Sequence, residues 1–63
     1  MQLSIKAWRV ERGFTQESFA KEVGVSKKTV CLWENGTVKP NVDKVEAICR
    51  VLGVSYDNIR WAS

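Results

Sequence analysis

The side chains that most often perform catalysis or bind metals are scarce in this chain. It contains no histidine, and the spacing of its two cysteines, Cys31 and Cys49, matches neither a CxxC motif nor a zinc site. It also lacks a phosphate-binding glycine loop and a pair of acids suited to acid–base catalysis. We therefore predict that the protein is not an enzyme and has no metal, no cofactor and no small-molecule ligand.

The two cysteines are predicted to be free thiols, as is usual in a reducing compartment. Cys49 lies on an apolar helical stripe and should be a small core residue. Cys31 lies next to the polar face of its helix. There, an inert and partly exposed thiol is favoured over a redox switch.

The polar chemistry that remains is cationic. Ten Lys and Arg residues against seven Asp and Glu residues give a net charge of +3 at pH 7. A charge of this size permits a polyanionic partner but is common among soluble proteins, so on charge alone Lys27 and Lys28 are best interpreted as a solvated helix start. Lysines at a helix N-terminus nevertheless oppose the helix dipole, and this favours a functional reason for them.

The elements that carry these residues are predicted from the spacing of apolar side chains, which is helical almost throughout. We expect an all-α fold, a compact single domain over residues 1–63 with five helices. The predicted helices are Leu3 to Arg12, Gln16 to Val23, Lys27 to Glu34, a fourth from about Asn41–Asp43 to Leu52, and Tyr56 to Arg60. No apolar run could span a bilayer and the N-terminus lacks a signal-peptide pattern, so we expect no membrane association and a cytoplasmic location.

The second and third helices are joined by an unusually short connection. Gly24 can end a helix in the left-handed conformation, Val25 can fill the corner and Ser26 can cap the next helix. Ala20 is small where two helices would approach closely, and Val30 and Trp33 would turn inward. These features predict a tight helical hairpin, a helix-turn-helix.

The order of residue types in this hairpin resembles the helix-turn-helix domain of phage repressors and Cro proteins, the XRE family with a lambda-repressor-like fold. The resemblance extends over nearly the whole chain, because it includes further positions on both sides of the hairpin. These are Arg9, Thr15-Gln16, Trp33-Glu34-Asn35-Gly36, Lys39-Pro40 and Leu52-Gly53-Val54-Ser55.

The resemblance implies that the third helix is the recognition helix, which enters the major groove of duplex DNA. The candidate base contacts are Lys27, Lys28, Thr29 and Leu32. Lysine can donate to guanine, threonine can hydrogen-bond or touch a thymine methyl, and leucine can make only apolar contact. The candidate phosphate contacts implied by the family are Gln16, Asn35, Thr37 and Lys39. Arg9 and Glu34 resemble the internal ion pair of the family.

These residues lead to the prediction of a sequence-specific transcriptional regulator, a repressor in its simplest form, that binds a pseudo-palindromic operator as a homodimer. Tyr56 and Trp61 are candidates for the dimer interface. The alternative is a protein-interaction module of the same fold, such as an antitoxin or anti-repressor, which the apolar Leu32 and Trp61 would suit. Activation rather than repression, and a longer protein of which this chain is one domain, both stay open.

Overall fold

The computed structural model describes residues 1–61, and this part of the chain is mostly helical. Four α-helices follow one another: α1 Ile5–Glu11, α2 Gln16–Val23, α3 Lys27–Glu34 and α4 Val42–Leu52. Two short strands, β1 Leu3–Ser4 and β2 Ile59–Arg60, pair in parallel with Leu3 opposite Ile59. A 3₁₀ turn, Tyr56–Asn58, lies between α4 and β2.

Each α-helix is preceded by a polar N-cap residue, whose side chain accepts a hydrogen bond from a backbone N–H of the first turn. These residues are Ser4, Thr15, Ser26 and Asn41. Helices α2 and α4 end at glycines in the left-handed conformation, Gly24 with φ +89° and Gly53 with φ +70°, where a side chain would be strained. Local sequence therefore determines where these helices begin and where two of them end.

The core lies between α2, α3 and α4, and is closed by α1 and the strand pair. Its largest fully buried side chains are Phe19, Val30, Ile48, Leu52 and Ile59. Ile48 and Leu52 lie one turn apart on α4 and form its inner stripe. Burial of this apolar surface is what holds the hairpin of α2 and α3 against the rest of the chain.

The prediction of a fifth helix over Tyr56 to Arg60 is wrong, because this segment forms a 3₁₀ turn followed by a strand. The Ile59 N–H closes a single turn on the Tyr56 carbonyl, and the backbone of Ile59 is then extended, with φ −110° and ψ 132°. The backbone of residues 59 and 60 bonds to β1 instead of continuing a helix. Residues 1–61 therefore contain four α-helices rather than five, and this mostly helical fold also includes a two-stranded sheet that joins the two ends of the region.

Helix α1 is also shorter than the helix predicted from Leu3 to Arg12. Leu3 and Ser4 belong to β1, Ser4 accepts the capping hydrogen bond from Ala7, and the helix ends at Glu11. Trp8 then ties this helix to the last turn, because its Nε1–H donates to the Asn58 carbonyl at 2.7 Å. Arg12 adds a second link to the far end of α4 by donating from Nε to the Leu52 carbonyl at 2.8 Å.

Candidate nucleic-acid interface

The hairpin of α2 and α3 turns through only three residues. The backbone N–H groups of Gly24 and Val25 both donate to the Ala20 carbonyl, at 2.8 and 2.9 Å. Ser26 then accepts from the Thr29 N–H at 3.2 Å and starts α3. With Ala20 buried on the inner side of α2, the two helices are held at a fixed angle by backbone bonds and close packing.

Helix α3 has one buried face and one accessible face. Val30 and Trp33 are buried, as predicted. Of the four predicted base contacts, Lys27 and Lys28 are exposed, whereas Thr29 and Leu32 are half-buried. The Thr29 hydroxyl lies 3.0 Å from the hydroxyl of Ser26, so it is already engaged with the cap. The accessible donors of this face are therefore the two lysines.

The C-terminal end of α3 is fixed to α1 by a buried ion pair. Arg9 Nε lies 2.6 Å from Glu34 Oε2, and the two side chains are only 9% and 6% exposed. Arg9 also donates from Nη1 to the Phe14 carbonyl at 2.8 Å. The guanidinium thus has partners on both sides, and so sets the position of the last turn of α3 relative to α1.

Gln16, at the start of α2, joins this network. Its Nε2 donates to Glu34 Oε1 at 3.0 Å, and its Oε1 accepts from the Cys31 thiol at 3.2 Å. Sequence reasoning placed Gln16 among the phosphate contacts but missed its hydrogen bonds to α3. One signal was available: Cys31 and Glu34 are three residues apart and therefore share a side of α3.

Gln16 also borders a polar cleft of about 510 Å³ between α1 and the N-terminus of α2. The cleft is lined by Lys6, Arg9, Phe14, Thr15, Gln16, Glu17 and Lys27. Lys6 and Lys27 place two positive charges against the one negative charge of Glu17 in this lining, next to the positive end of the helix dipole, and this balance is favourable for an anion. Lys6 was not among the residues singled out in the sequence.

The loop after α3 carries the other predicted phosphate contacts. Asn35 Oδ1 accepts from the Thr37 N–H at 2.9 Å, and the Thr37 N–H also bonds to the Leu32 carbonyl at 3.0 Å. Asn35, Thr37 and Lys39 are all exposed. The structure therefore places these three polar side chains beyond the end of α3, while Gln16 lies at the start of α2.

A separate apolar surface lies on the side of the protein formed by α4 and the 3₁₀ turn. Tyr56 is 58% exposed, and its ring stacks on Trp61 with 5.3 Å between ring centroids. A groove of about 560 Å³ beside it is lined by Pro40, Val42, Val45, Glu46, Cys49 and Tyr56. Burial raises the pKa of the Cys49 thiol above its ordinary value. The two predicted dimer-interface residues thus touch each other, and Tyr56 borders the apolar groove.

Within residues 1–61 no cluster of His, Cys, Asp and Glu side chains could hold a metal ion. In the same range, none of the helices has the length and apolar character that crossing a membrane requires.

Comparison with known proteins relates the chain to helix-turn-helix regulators. A family model described as helix-turn-helix matches residues 5–59. The antitoxin PezA of Streptococcus pneumoniae serotype 4 is 36% identical over 56 residues, which is 89% of this chain and 35% of PezA. The cryptic phage CTXphi transcriptional repressor RstR of Vibrio cholerae is 40% identical over 50 residues, which is 79% of this chain and 45% of RstR.

The chain spans less than half the length of both relatives. Its fold is similar to that of a solved structure, the clp gene regulator ClgR from Corynebacterium glutamicum, with a TM-score of 0.79 at 23% identity. The similarity covers 84% of this chain and 56% of ClgR.

Proposed function

The chain belongs to the helix-turn-helix family of the phage repressor and Cro type, and from this premise we propose that it represses transcription by binding an operator as a homodimer in the cytoplasm. The observation that supports the proposal most directly is the fixed position of α3. The hairpin turn holds its N-terminus and the Arg9–Glu34 pair holds its C-terminus, so Lys27 and Lys28 project from a rigid support. Rigid support of contact residues is what recognition of a duplex requires.

On this proposal, α3 lies in the major groove and its N-terminal end reads base edges. Lys27 and Lys28 are exposed and can donate to guanine O6 and N7. Thr29 and Leu32 are half-buried and supply shape and apolar contact rather than strong hydrogen bonds. A reading face led by two lysines gives modest specificity, so a useful operator preference depends on two subunits that bind together.

The DNA backbone is contacted by residues at both ends of the hairpin. Gln16 binds a phosphate beside the positive end of α2, and Asn35, Thr37 and Lys39 bind another beyond α3. Such contacts fix the register of α3 in the groove and carry no sequence information themselves.

The homodimer forms on DNA through the apolar surface around Tyr56 and Trp61. Val42 is 77% exposed and borders the same groove as Tyr56, and exposed apolar side chains of this kind are typical of association surfaces. A symmetric dimer would place two copies of α3 about one turn of DNA apart, roughly 34 Å.

A second candidate function is binding of a partner protein, as the name of the relative PezA, an antitoxin, suggests. The observation that favours it is the same exposed apolar groove, which a partner chain could cover instead of a second copy. In this case the DNA-binding face could be retained, so DNA binding and partner binding are separate questions.

Selection from random duplexes tests the leading proposal. We expect the purified protein to return a two-fold symmetric site, and the selected duplex to bind two copies of the chain in sedimentation. Tyr56→Ser should weaken the two-copy complex, whereas Val10→Ser, at an exposed apolar residue of α1, should not. Selection of no common sequence, with no binding even at low salt, would contradict the proposal and favour the partner-protein function.

A further inference from the structure

The side-chain amide of Gln16 is held from both sides by residues of α3. Its Oε1 accepts from the Cys31 thiol at 3.2 Å, and its Nε2 donates to Glu34 Oε1 at 3.0 Å. A thiol can donate and a carboxylate can only accept. The two neighbours of Gln16 therefore recognise opposite ends of its amide.

This arrangement permits only one orientation of the amide. A 180° flip would put the Gln16 oxygen against the acceptor-only Glu34 carboxylate, and would replace the two hydrogen bonds by at most a weak N–H contact to the Cys31 sulfur. Glu34 cannot turn away to relieve that repulsion, because Arg9 donates to Oε2 at 2.6 Å and to Oε1 at 3.4 Å, and the Glu34 side chain is 6% exposed. In the free protein, one Nε2 hydrogen is used by Glu34 and the second is left for another acceptor.

The cleft beside Gln16 is suited to an anionic acceptor. Lys6 and Lys27 contribute positive side chains to its lining, together with Thr15, the cap of α2. A phosphate oxygen accepts hydrogen bonds and carries negative charge, so it matches both the remaining N–H of Gln16 and the lysines.

We propose that Cys31 and Glu34 are positioning residues that fix the orientation of the Gln16 amide before DNA is bound, so that one defined N–H is presented to a backbone phosphate. This inference rests on the proposed DNA-binding function and adds to it a role for Cys31 that does not depend on reactivity of its thiol. Preorganisation matters because ordering a free side chain on binding costs affinity.

Duplex affinity of Cys31 variants tests the inference. Cys31→Ala removes the donor, and we expect binding to weaken roughly three- to tenfold, equally for a selected and a scrambled duplex. Cys31→Ser keeps a donor and should restore most of the affinity. In a Gln16→Ala background, Cys31→Ala should have no further effect. Equal affinity of Cys31→Ala and the unmodified chain, or the same loss in the Gln16→Ala background, would overturn the role of Cys31.

A second measurement separates this inference from the function on which it rests. In the free protein, NMR relaxation of the Gln16 side-chain amide should show restricted motion, and Cys31→Ala should release it. The Asn41 side-chain amide is the control, because its oxygen caps α4 away from this network. A freely moving Gln16 amide in the unmodified protein would overturn the inference even if DNA binds. A restricted amide in a protein that binds no duplex would overturn the proposed function instead.

Discussion

Arg9 and Glu34 form a nearly buried ion pair that joins the middle of α1 to the last residue of α3. Glu34 Oε2 accepts from Arg9 Nε at 2.6 Å, and Glu34 Oε1 accepts from Gln16 Nε2 at 3.0 Å and, at 3.4 Å, from Arg9 Nη2. A pair of this kind fixes geometry more than it adds net stability, because both charges have been removed from water.

Removal of Glu34 alone should therefore be more damaging than removal of both charges. Glu34→Ala leaves the Arg9 guanidinium buried with only the Phe14 carbonyl as partner, and we expect a loss of about 3 kcal/mol in the free energy of unfolding. The double variant Arg9→Met with Glu34→Ala keeps an apolar side chain at residue 9. Its loss in the free energy of unfolding should be clearly smaller than that of Glu34→Ala alone. Urea unfolding of the two variants measures the difference, and equal losses would show that no charge is stranded.

Substitution at Ala20 tests the close approach of α2 and α3. Ala20 is 2% exposed, so Ala20→Leu must displace its neighbours, and we expect a loss of about 1–3 kcal/mol. Lys21→Leu is the matched control, because it introduces the same side chain at the next, exposed position and should cost little. Thermal or urea unfolding of both variants is the measurement. If the two variants are equally stable, there is room at position 20 and the hairpin is not closely packed.

The pH dependence of the free energy of unfolding should reveal the raised pKa of Cys49. Burial raises the pKa of this thiol in the folded protein. The contribution of the protonated thiol to stability is therefore fully present at pH values below the pKa that the thiol has in the unfolded chain. It is lost as pH rises through the folded pKa. Above a pH of about 8.5, the ordinary pKa of a thiol, the unmodified protein should lose stability faster than Cys49→Ala. Unfolding curves collected from pH 7 to pH 10 provide the comparison. Parallel stability profiles of the two proteins would contradict a raised pKa of Cys49.

The helices of the hairpin were predictable because their ends are encoded locally. Thr15 and Ser26 are strong N-cap residues and Gly24 is a strong stop, and the predicted bounds of α2 and α3 are those of the structure. The strand pair was not predictable in this way. Leu3 and Ile59 are far apart in sequence, and strands of two residues are too short to show the alternating pattern that identifies a strand.

The polar network around Gln16 was only partly predictable from the sequence. A resemblance suggested the pairing of Arg9 with Glu34, but the shared side of Cys31 and Glu34 on α3 did not by itself indicate that Cys31 would donate to Gln16. That contact depends on the angle between α2 and α3, which tertiary packing sets. Lys6 was missed for a similar reason, since its approach to the start of α2 depends on how α1 packs.

The most direct test of the account is the affinity of Lys28→Ala for a selected and a scrambled duplex over a series of salt concentrations. Lys21→Ala serves as the control, because it removes the same charge from an exposed position outside the predicted contact set.

We expect binding by the unmodified protein to weaken steeply as the salt concentration rises. We also expect Lys28→Ala to lose about 1–3 kcal/mol of preference for the selected duplex, while Lys21→Ala keeps that preference. If both lysine variants lose affinity equally for both duplexes, α3 does not read bases through Lys28 and the central claim is contradicted.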